Sequence, residues 1–169
     1  MDEFELTFLP KSLPDLLKSS CKEMLDIYIP SSSDHPYLRI RRNGETYEMT
    51  KKQPVQTGDA SHQLETTISL NREEFDELAE VQGKRVSKRR YLYNEGDVAY
   101  EIDVFQEALK GLVLVDVEFS SLEEKNAYVA PEWLLLEVTQ EQFLAGGMLC
   151  GKTYADIEGR LVGLGYIQR

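Results

Sequence analysis

Charged side chains in this sequence recur two residues apart, in like-sign pairs. Arg39 and Arg41 form one basic pair, Lys88 and Arg90 another, and Lys52 follows Thr50 at the same spacing. Glu3 and Glu5, Glu101 and Asp103, and Asp116 and Glu118 are acidic pairs, and Glu65 precedes Thr67 in the same way. Guanidinium groups grip phosphate oxygens bidentately, and ammonium groups add compact positive charge. Carboxylates are the hard oxygen donors that Mg2+ or Mn2+ takes. Such an ion bridges phosphate oxygens and polarises the phosphorus toward water. A basic floor and an acidic wall in one cavity would therefore be equipped for metal-assisted phosphoryl hydrolysis.

The spacing of two is the period of a β-strand, in which alternate residues share a face. Strands are predicted over Glu3–Leu9, Leu25–Ile29, Tyr37–Arg42, Thr46–Lys52, His62–Leu70, Val86–Tyr93, Ala99–Phe105 and Leu112–Phe119. Most carry one charged and one apolar face: Arg39 and Arg41 alternate with Leu38 and Ile40, and Asp116 and Glu118 with Val115, Val117 and Phe119. Two arrangements satisfy this pattern. A sandwich or open sheet would solvate the charged face. A closed barrel would turn the charges into a wet interior and cover its apolar outside with helices. Solvated faces mix signs, so separation of basic from acidic pairs is less expected in the first.

Helix signals lie between the strands. Ser12 can cap a helix with Pro14 in its first turn, through Leu16, Leu17 and Met24. Asn71 with Glu74, Ser121 with Glu124, and Thr139 with Gln142 have capping-box spacing, and Thr153 can open a last helix through Ile157 and Leu161. Arg42-Asn43-Gly44-Glu45 reads as a hairpin turn and Pro54–Ser61 as a loop.

The 169 residues, with 41% apolar and 29% charged, fit one globular domain spanning 1–169. A net charge of −11 argues against nucleic-acid or anionic-membrane partners unless a local basic patch overcomes it. No apolar run is long enough to cross a bilayer, and the opening residues do not read as a signal peptide. Cys21 and Cys150 are too few for a disulfide framework and fit a reducing cytoplasm. With only His35 and His62 beside them, zinc or copper is not expected. Any metal would sit on carboxylates.

Taken in order, these segments resemble the CYTH domain, the triphosphate tunnel metalloenzyme family. Its E-x-E-x-K opening is similar to Glu3-Phe4-Glu5-Leu6-Thr7, and its L-R-x-R strand to Leu38-Arg39-Ile40-Arg41. The T-x-K ending stands as Thr50-Lys51-Lys52, the middle E-x-E as Gln63-Leu64-Glu65, and K-x-R-Y as Lys88-Arg89-Arg90-Tyr91. Glu101-Ile102-Asp103-Val104-Phe105, Asp116-Val117-Glu118-Phe119, Pro131-Glu132-Trp133 and Glu137-Val138-Thr139 follow, so the likeness runs from Glu3 to about Leu149. The resemblance implies a mainly β, eight-stranded antiparallel closed β-barrel, a tunnel open at both ends, with helices packed outside. It implies that Arg39, Arg41, Lys52, Lys88 and Arg90 bind triphosphate, with Lys88 and Lys52 in catalytic roles. It implies that Glu3, Glu5, Asp116 and Glu118 hold Mg2+ or Mn2+. Glu101 and Asp103 are second-rank candidates, and Glu65 orients a basic neighbour.

Three positions depart from the family. Thr7 stands for the opening lysine, Gln63 for a glutamate, and Phe143-Leu144-Ala145-Gly146 stands where a late R-Y-x-N is expected. The implied activity is hydrolysis of inorganic triphosphate or a similar small organic triphosphate. A weak or inactive polyphosphate or nucleotide binder and an ATP-cyclising adenylate cyclase are the alternatives, and a homodimer stays open. Gly146 to Thr153 loosely matches a phosphate loop, but no buried strand is predicted before it. Trp133 reads as a core or lid anchor, and His35 and His62 as surface residues.

Overall fold

The computed structural model describes residues 2–56 and 59–169, the side chains of Asp2 and Glu3 excepted. Nine strands form it: β1 (Asp2–Pro10), β2 (Ser20–Ile29), β3 (Leu38–Asn43), β4 (Thr46–Gln56), β5 (Asp59–Leu70), β6 (Lys84–Glu95), β7 (Val98–Phe105), β8 (Val113–Phe119) and β9 (Leu134–Glu137). The helices are α1 (Arg72–Leu78), α2 (Leu122–Ala127), α3 (Gly146–Leu149) and α4 (Tyr154–Gly163). Neighbours run β5-β4-β3-β2-β6-β7-β8-β1, all antiparallel, and β1–β5 pairing closes an eight-stranded barrel. The ninth strand lies against β1 where β5 has departed: β5 pairs with Asp2–Phe4, β9 with Phe8–Pro10, and β8 runs along the other edge.

All eight sequence-derived strands form, and closure decides between the two arrangements. The charged alternation faces the bore, as the cavity lining below shows. The apolar alternation faces out and is covered over much of the barrel, while Leu64 and Ile68 of β5 and Leu92 of β6 stay exposed. Outside β2 to β4, Ile27 and Ile40 pack with Phe75 of α1, whose capping box on Asn71 and Glu74 is complete. Outside β7, β8 and β1, Ile102, Val113, Val115 and Val117 pack beneath Leu16, Tyr128 and Trp133. Trp133 is an anchor there: it meets the Tyr93 and Tyr100 rings edge-on, and its indole N–H donates to Glu95 at 2.7 Å.

A third cluster sits at one end of the barrel. Tyr28, Val86, Phe105 and Leu114 share strand parity with the charged interior residues but are apolar. They pack with Val138, Phe143, Leu144 and Leu149 and with Ile157 and Leu161 of α4. The tyrosine hydroxyl of Tyr166 ties this carboxyl-terminal segment down by donating to Gly111 O and accepting from Val113 N, both at 2.9 Å.

Three local expectations are corrected. No helix runs from Ser12 to Met24: the chain turns at Asp15, whose carboxylate accepts from Leu17 N, and Ser20–Met24 pairs with β6. Ladder bonds to β6 satisfy backbone groups that an isolated helical turn could not bury as well. Of the Pro54–Ser61 loop, Pro54–Gln56 belongs to β4 and Asp59–Ser61 to β5, with a register shift between Pro54 and Gln56 where proline has no N–H to give; residues 57–58 lie outside the described residues. Thr139 opens no α-helix. Its hydroxyl accepts from Thr7 N at 3.1 Å, and a 3-10 turn at Gln142–Leu144 follows. β9 has no counterpart among the expected strands, being too short to show alternation. The hairpin at Asn43–Glu45 forms as expected, with Gly44 at φ +59°.

Candidate active site

Antiparallel pairing fixes which charges meet. Arg39 lies opposite Thr50 and Arg41 opposite Glu48 on β4, while Tyr28 and Asp26 of β2 lie opposite Arg39 and Arg41 on the other side. Lys52 faces Glu65 across β4–β5. Arg90 faces Asp103 across β6–β7, and Glu101 faces Asp116 across β7–β8. Thr7 faces Asp116 and Glu5 faces Glu118 across β1–β8.

Of these residues all but Asp26 and Glu101 line one cavity of about 840 Å3. Arg39, Arg41, Lys52, Lys88 and Arg90 all reach it, as do Glu5, Asp116 and Glu118. Thr7, Glu65 and Asp103 also line it. Glu101 stays outside the lining and holds Arg90 from behind. The Glu3 side chain lies outside the described residues; its backbone pairs with Gln63.

The basic residues are held by buried acids. Asp103, 1% exposed, accepts from Lys88 Nζ and takes both Arg90 Nε and Nη2 at 2.7 Å. Asp26, also 1% exposed, takes Arg41 Nε at 2.6 Å and Nη2 at 2.8 Å. Burial alone would raise both carboxyls, but the paired cations hold them well below the usual range. Burial presses Lys88 the other way: desolvation lowers its pKa, with help from Arg90 and Arg41, against the opposing pull of Asp103. Arg39 Nε is buried without a hydrogen-bond partner. The Arg39 guanidinium also lines the cavity, hydrogen-bonded to Tyr28, and a guanidinium so placed suits an anion.

The acidic wall is crowded. Glu5 and Glu118 are cross-strand neighbours, an unfavourable pairing for like charges. Asp116 is pushed up to about 6, by burial first and then by Glu5 and Asp103. Thr7 Oγ1 donates to Asp116 Oδ1 at 2.8 Å, and Lys52 Nζ sits 3.5 Å from Glu5. Among the described residues, no three acidic, His or Cys side chains stand together as a ready metal cage. The donor set still fits Mg2+ or Mn2+, because such ions commonly use one or two carboxylates and take other oxygens from phosphate and water. Positive charge there would relieve the carboxylate repulsion.

Asp26 is the residue that the sequence reading passed over. Its signal was a lone acid in an otherwise apolar strand, in register with Met24 and Tyr28. Asp26→Asn leaves Arg41 buried without the carboxylate that pairs with it and is expected to destabilise the protein by about 3 kcal/mol. Because Asp26 is held below its unfolded value, the pair's stabilisation is complete above about pH 4 and is lost as pH falls further. Denaturant melts of both proteins from pH 7 downward should therefore converge on the acid side.

The match to the family profile of the CYTH domain extends over residues 1–130, which takes in all eight barrel strands and α2. The chain belongs to the CYTH domain family. An inorganic triphosphatase of Nitrosomonas europaea is 34% identical over 144 residues, covering 84% of this chain and 92% of that protein. A crystal structure of an inorganic triphosphatase superposes with a TM-score of 0.63 at 30% identity, covering 88% of this chain and 93% of that one. A solved structure from Pyrococcus furiosus, 18% identical with a TM-score of 0.51 over 98% of this chain and 91% of that one, shares the fold alone. No helix of the described CYTH domain is long and apolar enough to cross a membrane. Gly146 and Gly147 do not form a phosphate loop: they follow a 3-10 turn and pack closely on Tyr28 and on His35–Pro36. His35 lines the cavity and His62 stacks on Phe4 at 4.6 Å, so both do more than face solvent.

Proposed function

We propose that this CYTH domain hydrolyses inorganic triphosphate, or a similarly small triphosphate, with Mg2+ or Mn2+. The observation that carries this reading is the convergence of Arg39, Arg41, Lys52, Lys88 and Arg90 on one cavity whose other wall bears Glu5, Asp116 and Glu118. The similarity to inorganic triphosphatases along most of the chain supports it. The arginines and Lys52 bind the phosphate oxygens, with Arg90 fixed by Asp103. A divalent cation held by Glu5, Asp116 and Glu118, with Glu3 as a further donor, would neutralise phosphate charge and polarise the phosphorus. Lys88, whose pKa burial lowers, accepts a proton from the attacking water. The water oxygen bonds to the terminal phosphorus as the bridging P–O bond breaks, and pyrophosphate leaves.

Thr7 tests this reading. It faces the cavity beside Asp116 where the family has a lysine, and a hydroxyl neither neutralises phosphate nor takes a proton at neutral pH. Thr7→Lys is expected to raise kcat for tripolyphosphate about tenfold with a smaller change in KM, since well-placed cationic or basic groups contribute at least that much. Steady-state phosphate release by both proteins checks it. If kcat does not move while Lys88→Ala destroys it, Lys88 alone supplies the proton chemistry and Thr7 is no lesion.

A further inference from the structure

We propose that Tyr28 is a positioning residue for Arg39, and that the carboxyl-terminal segment holds it in place through Gly146. The proposal rests on the phosphate-binding reading above. In the β2–β3 ladder Asp26 lies opposite Arg41 and Tyr28 lies opposite Arg39. Both pairs face inward, two residues apart, and each sets a buried acceptor against a guanidinium. Arg41 is fixed by both oxygens of Asp26. Arg39 instead donates to the Tyr28 hydroxyl, since a guanidinium has only donors to give. Burial, and then the charge of Asp26, push that phenol above its usual range, so it stays neutral. A neutral acceptor orients Arg39 without cancelling the charge that a phosphate oxygen needs.

Tyr28 is itself held. Its ring packs in the apolar cluster with Phe105, Leu144 and Leu149, and its hydroxyl is backed by Gly146, the first residue of α3. A Cβ at Gly146 would lie 2.1 Å from the hydroxyl oxygen and 3.1 Å from the carbon that bears it. Only glycine lets the backbone come so close. At the next position, a Cβ on Gly147 would meet Pro36 O at 2.5 Å, three residues before Arg39. The start of α3 thus abuts both supports of Arg39, the residue across the ladder and the chain that leads into β3. A segment outside the eight barrel strands reaches the phosphate grip through one hydroxyl.

Calorimetric titration with tripolyphosphate, in the presence of Mg2+, tests this as a double-mutant cycle. Tyr28→Phe keeps the packed ring and loses only the hydroxyl. It is expected to weaken binding roughly tenfold, the scale of one hydrogen bond to a charged group. In an Arg39→Ala background, where four cations still bind the ligand, the same substitution should cost less than twofold. Gly146→Ala, which drives a methyl onto the hydroxyl, should weaken binding severalfold alone and less than twofold on top of Tyr28→Phe. Equal weakening by Tyr28→Phe with and without Arg39, or no weakening at all, would overturn the positioning role and leave the triphosphate reading intact. Wild-type binding by Gly146→Ala would overturn the part given to the carboxyl-terminal segment. Failure of the wild type to bind tripolyphosphate would overturn this proposal and the triphosphate reading together.

Discussion

Lys88→Ala is expected to lower kcat for tripolyphosphate by about 10²–10³ without unfolding the protein. Lys88 is 9% exposed, points into the cavity, and has its pKa lowered by burial and by the neighbouring guanidinium groups of Arg90 and Arg41. On the proposed mechanism its ammonium form would neutralise phosphate and its amine form would take a proton, and alanine could do neither. The fold should survive because Asp103 keeps its bidentate bond to Arg90, so no buried carboxylate is orphaned. Some stability is lost with the cation–π contact to Phe105 at 5.7 Å. Kinetics should be read beside a thermal melt. A fall in kcat with a near wild-type melt supports the role, and an unchanged kcat removes it.

Glu118→Ala is expected to cost at least about 100-fold in divalent-metal-dependent turnover, since even the outer partners of metal ligands cost 10–100-fold. The reason lies in the β1–β8 ladder, which sets Glu118 directly opposite Glu5 and one inward-facing pair away from Asp116. Like charges so placed repel, and their ladder register is tolerable when a cation sits between them. Removing Glu118 should therefore weaken the metal while leaving the apo protein as stable as before, or slightly more so. Phosphate release measured against Mn2+ concentration checks it. The same activity with the same metal dependence would show that these carboxylates hold no ion.

Much of this was legible because closed barrels preserve strand parity. Once Arg39 and Arg41, or Asp116 and Glu118, were seen to alternate with apolar residues, each pair's shared direction followed from the period of two. What period alone did not give was closure, and so the choice between a solvated face and a bore. That choice depends on three β1–β5 register pairs near the start of the chain, which carry no periodic signal of their own. Asp26 was hidden for a related reason: one acid in an apolar strand looks incidental until a neighbouring strand brings Arg41 to it. The Ser12 to Met24 helix was misread because a capping serine and Pro14 are also compatible with an irregular turn, and strand β6 claims Ser20–Met24. Pro54 misled likewise, since proline marks loops and also strand bulges.

The most direct test is phosphate release from tripolyphosphate with Mg2+ or Mn2+, run beside calorimetric binding of the same ligand to the same protein. The expected result is binding together with divalent-dependent release of phosphate and pyrophosphate, abolished by a chelator. Tight binding with no release under any divalent ion would contradict hydrolysis and leave a polyphosphate binder built on the same barrel.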